Sequence, residues 1–213
     1  MKQATKLKIH MKGLREIQRP LNLKISDYSD LDSLQQRIQT CTKCSLCELD
    51  VNKLDLEKGF GKLPIKKGRL PILFVGINPS ITRFKDSMSV GAFTGRTSGD
   101  LFKLLLSEIS LNVDDFYITN LVRCSTPNNR ELTYSDIYVC SGYLLKEIYL
   151  IQPKVIFSLG SIVSQWLKNN KEKIRSVCKT DFIYLQHPNH LKYSPNEKEK
   201  YLKELSKVKE YMK

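Results

Sequence analysis

Six cysteines mark the chain, and five of them fall in a suggestive pattern. Cys41 and Cys44 form a C-x2-C pair, Cys47 extends it, and Cys124 and Cys140 stand far along the sequence. A C-x2-C pair with two distant cysteines is compatible with a 4Fe–4S cluster or with structural zinc, since both take thiolate ligands. Spacing alone does not choose between them, and Cys47 leaves open which of the first three belong. Cys178 sits apart in a charged stretch and reads as an ordinary thiol. With no apolar secretory segment at the start, metal ligation is a stronger reading of these cysteines than disulfides.

A second group of reactive side chains follows short apolar runs. Gly76-Ile77-Asn78-Pro79-Ser80 follows the first, Asn120 ends the second, and His187-Pro188-Asn189-His190-Leu191 follows the last. Carboxamides and an imidazole brought to one rim make a polar pocket. Each also has a plain reading: Asn-Pro opens turns, Asn120 could cap a strand, and His187 could be a loop histidine.

The elements that would position them alternate regularly. Leu70 to Gly76, Phe116 to Val122, Lys154 to Gly160 and Asp181 to Gln186 read as strands. Ser98 to Ser110 reads as a helix with Leu101, Leu104, Leu105 and Ile109 inward. Thr133 opens another, with Asp136 completing a capping box and Ile137, Cys140, Leu144, Leu145 and Ile148 on its apolar face. Ser161 to Lys168 forms a third. Ser194-Pro195 starts the last, with Leu202, Leu205 and Val208 inside. Pro64 to Gly68 reads as a loop. Alternation of this kind predicts an α/β fold, three-layer αβα with a central, mainly parallel four-stranded sheet. In such sheets ligands bind beyond the carboxyl ends of the strands.

The 213 residues suit one domain, taken as 25–213, behind a basic N-terminal arm, 1–24. A net charge of +13 fits a polyanionic partner. It fits a merely soluble lysine-rich chain as well. No apolar run approaches the roughly 20 residues of a membrane span, so the expectation is a cytoplasmic protein and a monomer.

From about Cys41 to Leu191 the sequence resembles the iron–sulfur uracil-DNA glycosylases, families 4 and 5 of the superfamily. Five blocks carry the resemblance, in the family's order. They are Cys41-x2-Cys44-Ser45-Leu46-Cys47, then Ile72-Leu73-Phe74-Val75-Gly76 with the Pro79 turn, then Ala92-Phe93-Thr94-Gly95-Arg96-Thr97-Ser98-Gly99. Ile118-Thr119-Asn120 leading to Cys124, Asn129-Arg130 and Cys140 is the fourth, and His187-Pro188 the fifth. The resemblance implies that Cys41, Cys44, Cys124 and Cys140 hold a structural 4Fe–4S cluster. It implies that Phe93 stacks on a flipped base in a pocket with Gly76 and Ile77, while Asn120 reads the base edge. His187 would bind the pyrimidine O2. Ser80, Arg96, Asn129, Arg130, His190 and Leu191 are the expected DNA contacts, with Leu191 a candidate wedge.

The first motif departs from the pattern. Iron–sulfur members carry Gly-Glu-(Ala/Gly)-Pro-Gly, whereas Ile77 here replaces the acid. Gly76-Ile77-Asn78-Pro79 is similar to the mismatch-specific thymine/uracil glycosylases, in which the Asn positions water. Asn78 is therefore the expected water-positioning residue of a monofunctional glycosylase acting on uracil or a related deaminated base. Two rival readings stand beside it: a relative that binds uracil or abasic DNA without excision, and a zinc-stapled nucleotide-binding protein.

Overall fold

The computed structural model describes residues 29–48, 65–79, 98–126 and 130–213. Helix α1 spans Leu31–Gln39 and is capped by Asp30, whose carboxylate accepts the Ser33 amide at 2.8 Å. Strand β1 (Ile72–Gly76) leads by way of α2 (Ser98–Glu108) to β2 (Tyr117–Asn120). Helix α3 (Tyr134–Ile151) precedes β3 (Val155–Leu159). Then come α4 (Ser161–Asn169), α5 (Lys171–Arg175), β4 (Asp181–Leu185) and α6 (Lys198–Ser206).

The strands form one sheet in the order β2-β1-β3-β4, and every pairing is parallel. Successive side chains of a strand point to opposite faces, so each strand feeds two cores. Leu73, Val75 and Ile156 pack with α1, α3, α4 and α5, around Leu34, Leu144, Trp166 and Ile174. Ile72, Phe74, Val155 and Phe157 pack with α2 and α6, around Phe102, Leu105 and Leu205. Phe74 is the hub of that second core, stacked on Phe157 at 4.8 Å and edge-on to Phe102 at 5.1 Å. This is the expected αβα sandwich.

Helix α3 is buried over most of its circumference, which few helices of a small domain are. Its start is fixed as the sequence indicates. The Thr133 hydroxyl accepts the Asp136 amide at 3.2 Å, and the Asp136 carboxylate accepts the Thr133 amide at 2.7 Å.

Three details differ from the sequence reading. Leu104 faces solvent, while Phe102 and Leu106 take the inner positions of α2. Three-residue spacing from Leu101 to Leu104 suggested an apolar face that the sheet does not reach. Lys66, read as loop, pairs with Ile118 in an antiparallel bridge of 2.8 and 2.9 Å hydrogen bonds, covering the free edge of β2. Gly68 permits this approach, because a Cβ there would lie 2.2 Å from the Phe116 carbonyl carbon. Finally, Ser194 makes no side-chain cap, and Pro195–Glu197 is a 3-10 turn ahead of α6.

Candidate active site and cysteine cavity

Parallel strands deliver their carboxyl ends to one edge, so the residues after β1, β2, β3 and β4 share a rim. Gly76 and Asn120 are register partners at the ends of β1 and β2. The stitching continues beyond the strands. The Leu121 amide donates to the Gly76 carbonyl and the Val122 amide to the Ile77 carbonyl, both at 2.8 Å. These bonds hold the Gly76–Asn78 turn against the end of β2. Asn120 is 3% exposed.

Asn78 is half-buried, and its amide nitrogen donates to the Pro79 carbonyl at 3.1 Å. That bond engages one of the two N–H groups of the carboxamide and leaves Oδ1 as an acceptor. A water whose O–H points at such an acceptor turns a lone pair the other way.

His187 lies two residues past β4 and caps the 3-10 turn Pro188–Lys192. Its Nδ1 accepts the Asn189 amide at 3.3 Å. In the neutral ring that leaves the proton on Nε2, so the far side of the imidazole is a donor. Burial lowers the His187 pKa below its ordinary 6.5, which keeps the ring neutral at physiological pH. Gly160, after β3, supports the ring's backbone. Its φ of 113° excludes most side chains, and a Cβ there would stand 3.5 Å from the His187 Cβ.

The cysteines gather on the face of the sheet packed by α3. Cys41, Cys44, Cys124 and Cys140 line one apolar cavity with Ile38 and Arg123 among its walls. Each comes from a different setting. Cys41 follows α1, its amide bonded to the Ile38 carbonyl at 3.1 Å. Cys44 precedes the 3-10 turn Ser45–Glu48, Cys124 follows β2, and Cys140 lies on α3. The Arg123 amide donates to Cys140 Sγ at 3.2 Å. Burial pushes the Cys140 thiol up to about 11, opposed by Arg123 and reinforced by Cys44 and Cys41 nearby. Among the described residues no three His, Cys, Asp or Glu side chains close on a point that could hold a single ion. Cys178 is buried elsewhere, its thiol donating to the Pro153 carbonyl at 3.5 Å.

The uracil DNA glycosylase superfamily profile matches residues 65–208, from the Lys66 bridge to the last turn of the chain. The chain belongs to the uracil-DNA glycosylase superfamily. Within the superfamily it is similar to a type-4 uracil-DNA glycosylase of Archaeoglobus fulgidus, 29% identical over 84% of this chain and 92% of that one. A type-4 enzyme of Saccharolobus solfataricus is 31% identical over 70% of this chain and 65% of its own. A type-5 enzyme of Pyrobaculum aerophilum is 34% identical, over 33% of this chain and 36% of its own. The crystal structure of wild-type Pedobacter heparinus SMUG2 superposes with a TM-score of 0.44 at 15% identity, covering 83% of this chain and 97% of that one.

Among the superfamily positions read from sequence, the fold brings Gly76, Ile77, Asn78, Asn120 and His187 to the strand-end rim. It gathers the four cysteines at a separate cavity. Ser80, Phe93, Arg96 and Asn129 lie outside the described residues, as do the N-terminal arm and the Cys47 side chain. Three expected DNA contacts are otherwise engaged. Arg130 holds Asp136 through Nη1 at 2.8 Å and Nη2 at 3.3 Å, bracing the start of α3. His190 pairs with Glu197 at 3.2 Å. Leu191 is 7% exposed and packs in the α2–α6 core, so it is no free wedge. Two residues on, Tyr193 is 86% exposed. Sequence reasoning passed over Tyr193 because a tyrosine between Lys192 and Ser194 carries no periodic signal.

Proposed function

We propose that this chain excises uracil, or a closely related deaminated base, from DNA by hydrolysis of the N-glycosidic bond and leaves an abasic site. The observation that carries this is the His187 ring, its Nδ1 taken by the Asn189 amide so that Nε2 bears the proton, at the rim that also bears Asn78 and Asn120.

Cleavage of an N-glycosidic bond leaves positive charge on the sugar and negative charge on the base. A donor fixed toward the base oxygen stabilises that anion in a water-poor pocket, typically by ~3 kcal/mol. A neutral His187 supplies such a donor. It need not give up its proton, only share it. Asn120 has both a donor and an acceptor, as the edge of uracil requires. Asn78 Oδ1 accepts from the water and aims it at the sugar carbon. Because a carboxamide cannot take the water's proton, Asn78 orients the nucleophile without acting as a base. That favours substrates whose base leaves readily.

The base must leave the stack before it reaches this rim, at a cost of a few kcal/mol. Tyr193, in solvent six residues past His187, is the aromatic face available to fill the gap. A lysine nucleophile is not needed by this route, so the product is an intact strand with an abasic site.

The cysteine cavity fits a 4Fe–4S cluster on two observations. Its donors are four cysteines around an apolar space. Arg123, in its wall, has a buried Nε with no hydrogen-bond partner among the described residues, a donor available to sulfur. Cys41, Cys44, Cys124 and Cys140 would hold the cluster, whose contribution is to tie the α1 segment to β2 and α3. Base excision itself draws no electrons from it.

The deciding experiment is base release from oligonucleotides carrying one uracil opposite A, opposite G, or unpaired, developed with alkali. Release that vanishes in Asn78→Ala and His187→Ala supports the reading. Protein with a full complement of iron that binds uracil or abasic DNA and releases no base sinks it, in favour of a binding-only member. Metal analysis separates iron from zinc.

A further inference from the structure

Two opposite charges are buried against each other in this domain, and base excision as described uses neither. Arg123 and Glu147 form an ion pair with side chains 2% and 1% exposed. Thr119 joins both. Its hydroxyl donates to Glu147 Oε2 at 2.9 Å and accepts from Arg123 Nη1. Thr119 immediately precedes Asn120. Arg123 immediately precedes Cys124, and its own amide holds Cys140 Sγ. Glu147 lies two turns along α3 from Cys140.

The pair therefore reaches the cysteine cavity directly and the base rim through Thr119, the residue before Asn120. Attraction inside a protein often fails to repay the desolvation of such a pair, so apolar side chains of similar volume would serve stability as well. Its value lies in what it connects. The Arg123 guanidinium is a permanent cation, and Arg123 lines the cysteine cavity together with Cys124 and Cys140.

We propose that Arg123 is a positioning residue that couples the cysteine cavity to Asn120, its amide holding a ligand sulfur while its guanidinium, with Glu147, holds Thr119 and the end of β2. The proposal rests on the cluster and base-pocket assignments made above. Bound thiolates bring negative charge to the cavity, and Arg123 is a cation in its wall. Glu147 draws the same cation the other way. The guanidinium is set by both, and Thr119 follows it.

Free uracil, the reduction potential and the iron content of the full chain test this. Thr119→Val removes the shared hydroxyl at nearly constant volume. Glu147→Gln keeps the shape and removes the counter-charge. At iron content equal to the parent protein, both are expected to weaken uracil binding about fivefold or more. Glu147→Gln is also expected to raise the reduction potential, because an uncompensated cation stabilises an added electron. Arg123→Lys keeps the charge but loses the fork, so it should weaken uracil binding and leave the potential near the parent value. A merely structural pair would lower the melting temperature while leaving uracil affinity per loaded protein and the potential unchanged; that result overturns the proposal. A parent protein without iron would instead overturn the cluster assignment, and one that neither binds nor releases uracil would overturn the glycosylase reading.

Discussion

The Asn189 amide donates to Nδ1 of His187 at 3.3 Å, two residues back along the same turn. One local hydrogen bond thus decides which face of the ring carries the proton. Burial acts in the same direction by keeping the ring neutral. Protonation of Nδ1 would break the bond, so acid is expected to stop the reaction. Because burial holds the His187 pKa below 6.5, the acid limb of kcat/KM should fall below pH 6.5. The same shift adds stability that is present above pH 6.5 and lost as pH falls through the folded-state value. Rate profiles between neutral and mildly acidic pH check this, and His187→Ala should lower kcat by about 10²–10³ with the limb removed.

In the proposed reaction Asn78 orients water and does not deprotonate it. Asn78→Ala should slow single-turnover excision about 10²-fold or more, with circular dichroism unchanged. Asn78→Asp supplies the missing base and should be faster than Asn78→Ala at neutral pH. Equal rates for the two would remove Asn78 from the reaction.

Tyr193 stands in solvent where Leu191 does not. Stacking of a base on an aromatic ring is worth roughly 1–3 kcal/mol. Tyr193→Ala should therefore weaken binding to abasic duplex DNA by that amount, and Tyr193→Phe should not. Leu191→Ala should act on folding stability instead, costing about 2–5 kcal/mol in urea denaturation.

The cap of α3 is separable from the chemistry. Thr133→Ala removes one partner of the Asp136 amide and should cost about 1 kcal/mol of stability with little change in excision. Burial raises the Asp136 pKa, but Arg130 and Thr133 outweigh it and hold the carboxyl below its usual 3.8. That stability is therefore present above pH 3.8 and lost as pH falls through the lowered value.

Among the cysteines, Cys140→Ala should abolish iron loading, whereas Cys178→Ala should leave it intact. Cys178 faces the Pro153 carbonyl, away from the cavity. Colorimetric iron and sulfide assays on the purified variants decide the matter.

Much of this was legible in the residues. The strands could be placed because Ile72–Gly76 and Val155–Leu159 are apolar on both faces, as a doubly covered parallel sheet demands. The strand-end rule then placed Asn78, Asn120 and His187. What stayed hidden depends on distant partners. Leu104 and Phe102 are both plausible core residues until the tilt of α2 on the sheet is known. Leu191 likewise reads as a wedge until it is seen packed under α2 and α6. Glu147 did leave a trace, a charge seven residues after Cys140 on an otherwise apolar helix face, but without Arg123 beside it the trace has no meaning.

The four cysteines are unequally sheltered. Cys124 and Cys140 are buried on β2's exit and on the innermost helix, while Cys41 and Cys44 are half-exposed on the short stretch after α1. Oxidants and chelators therefore meet the N-terminal pair first. Damage should begin there, with the sandwich still standing behind it, so a cluster held as proposed would be lost by unbuttoning one segment without melting the whole.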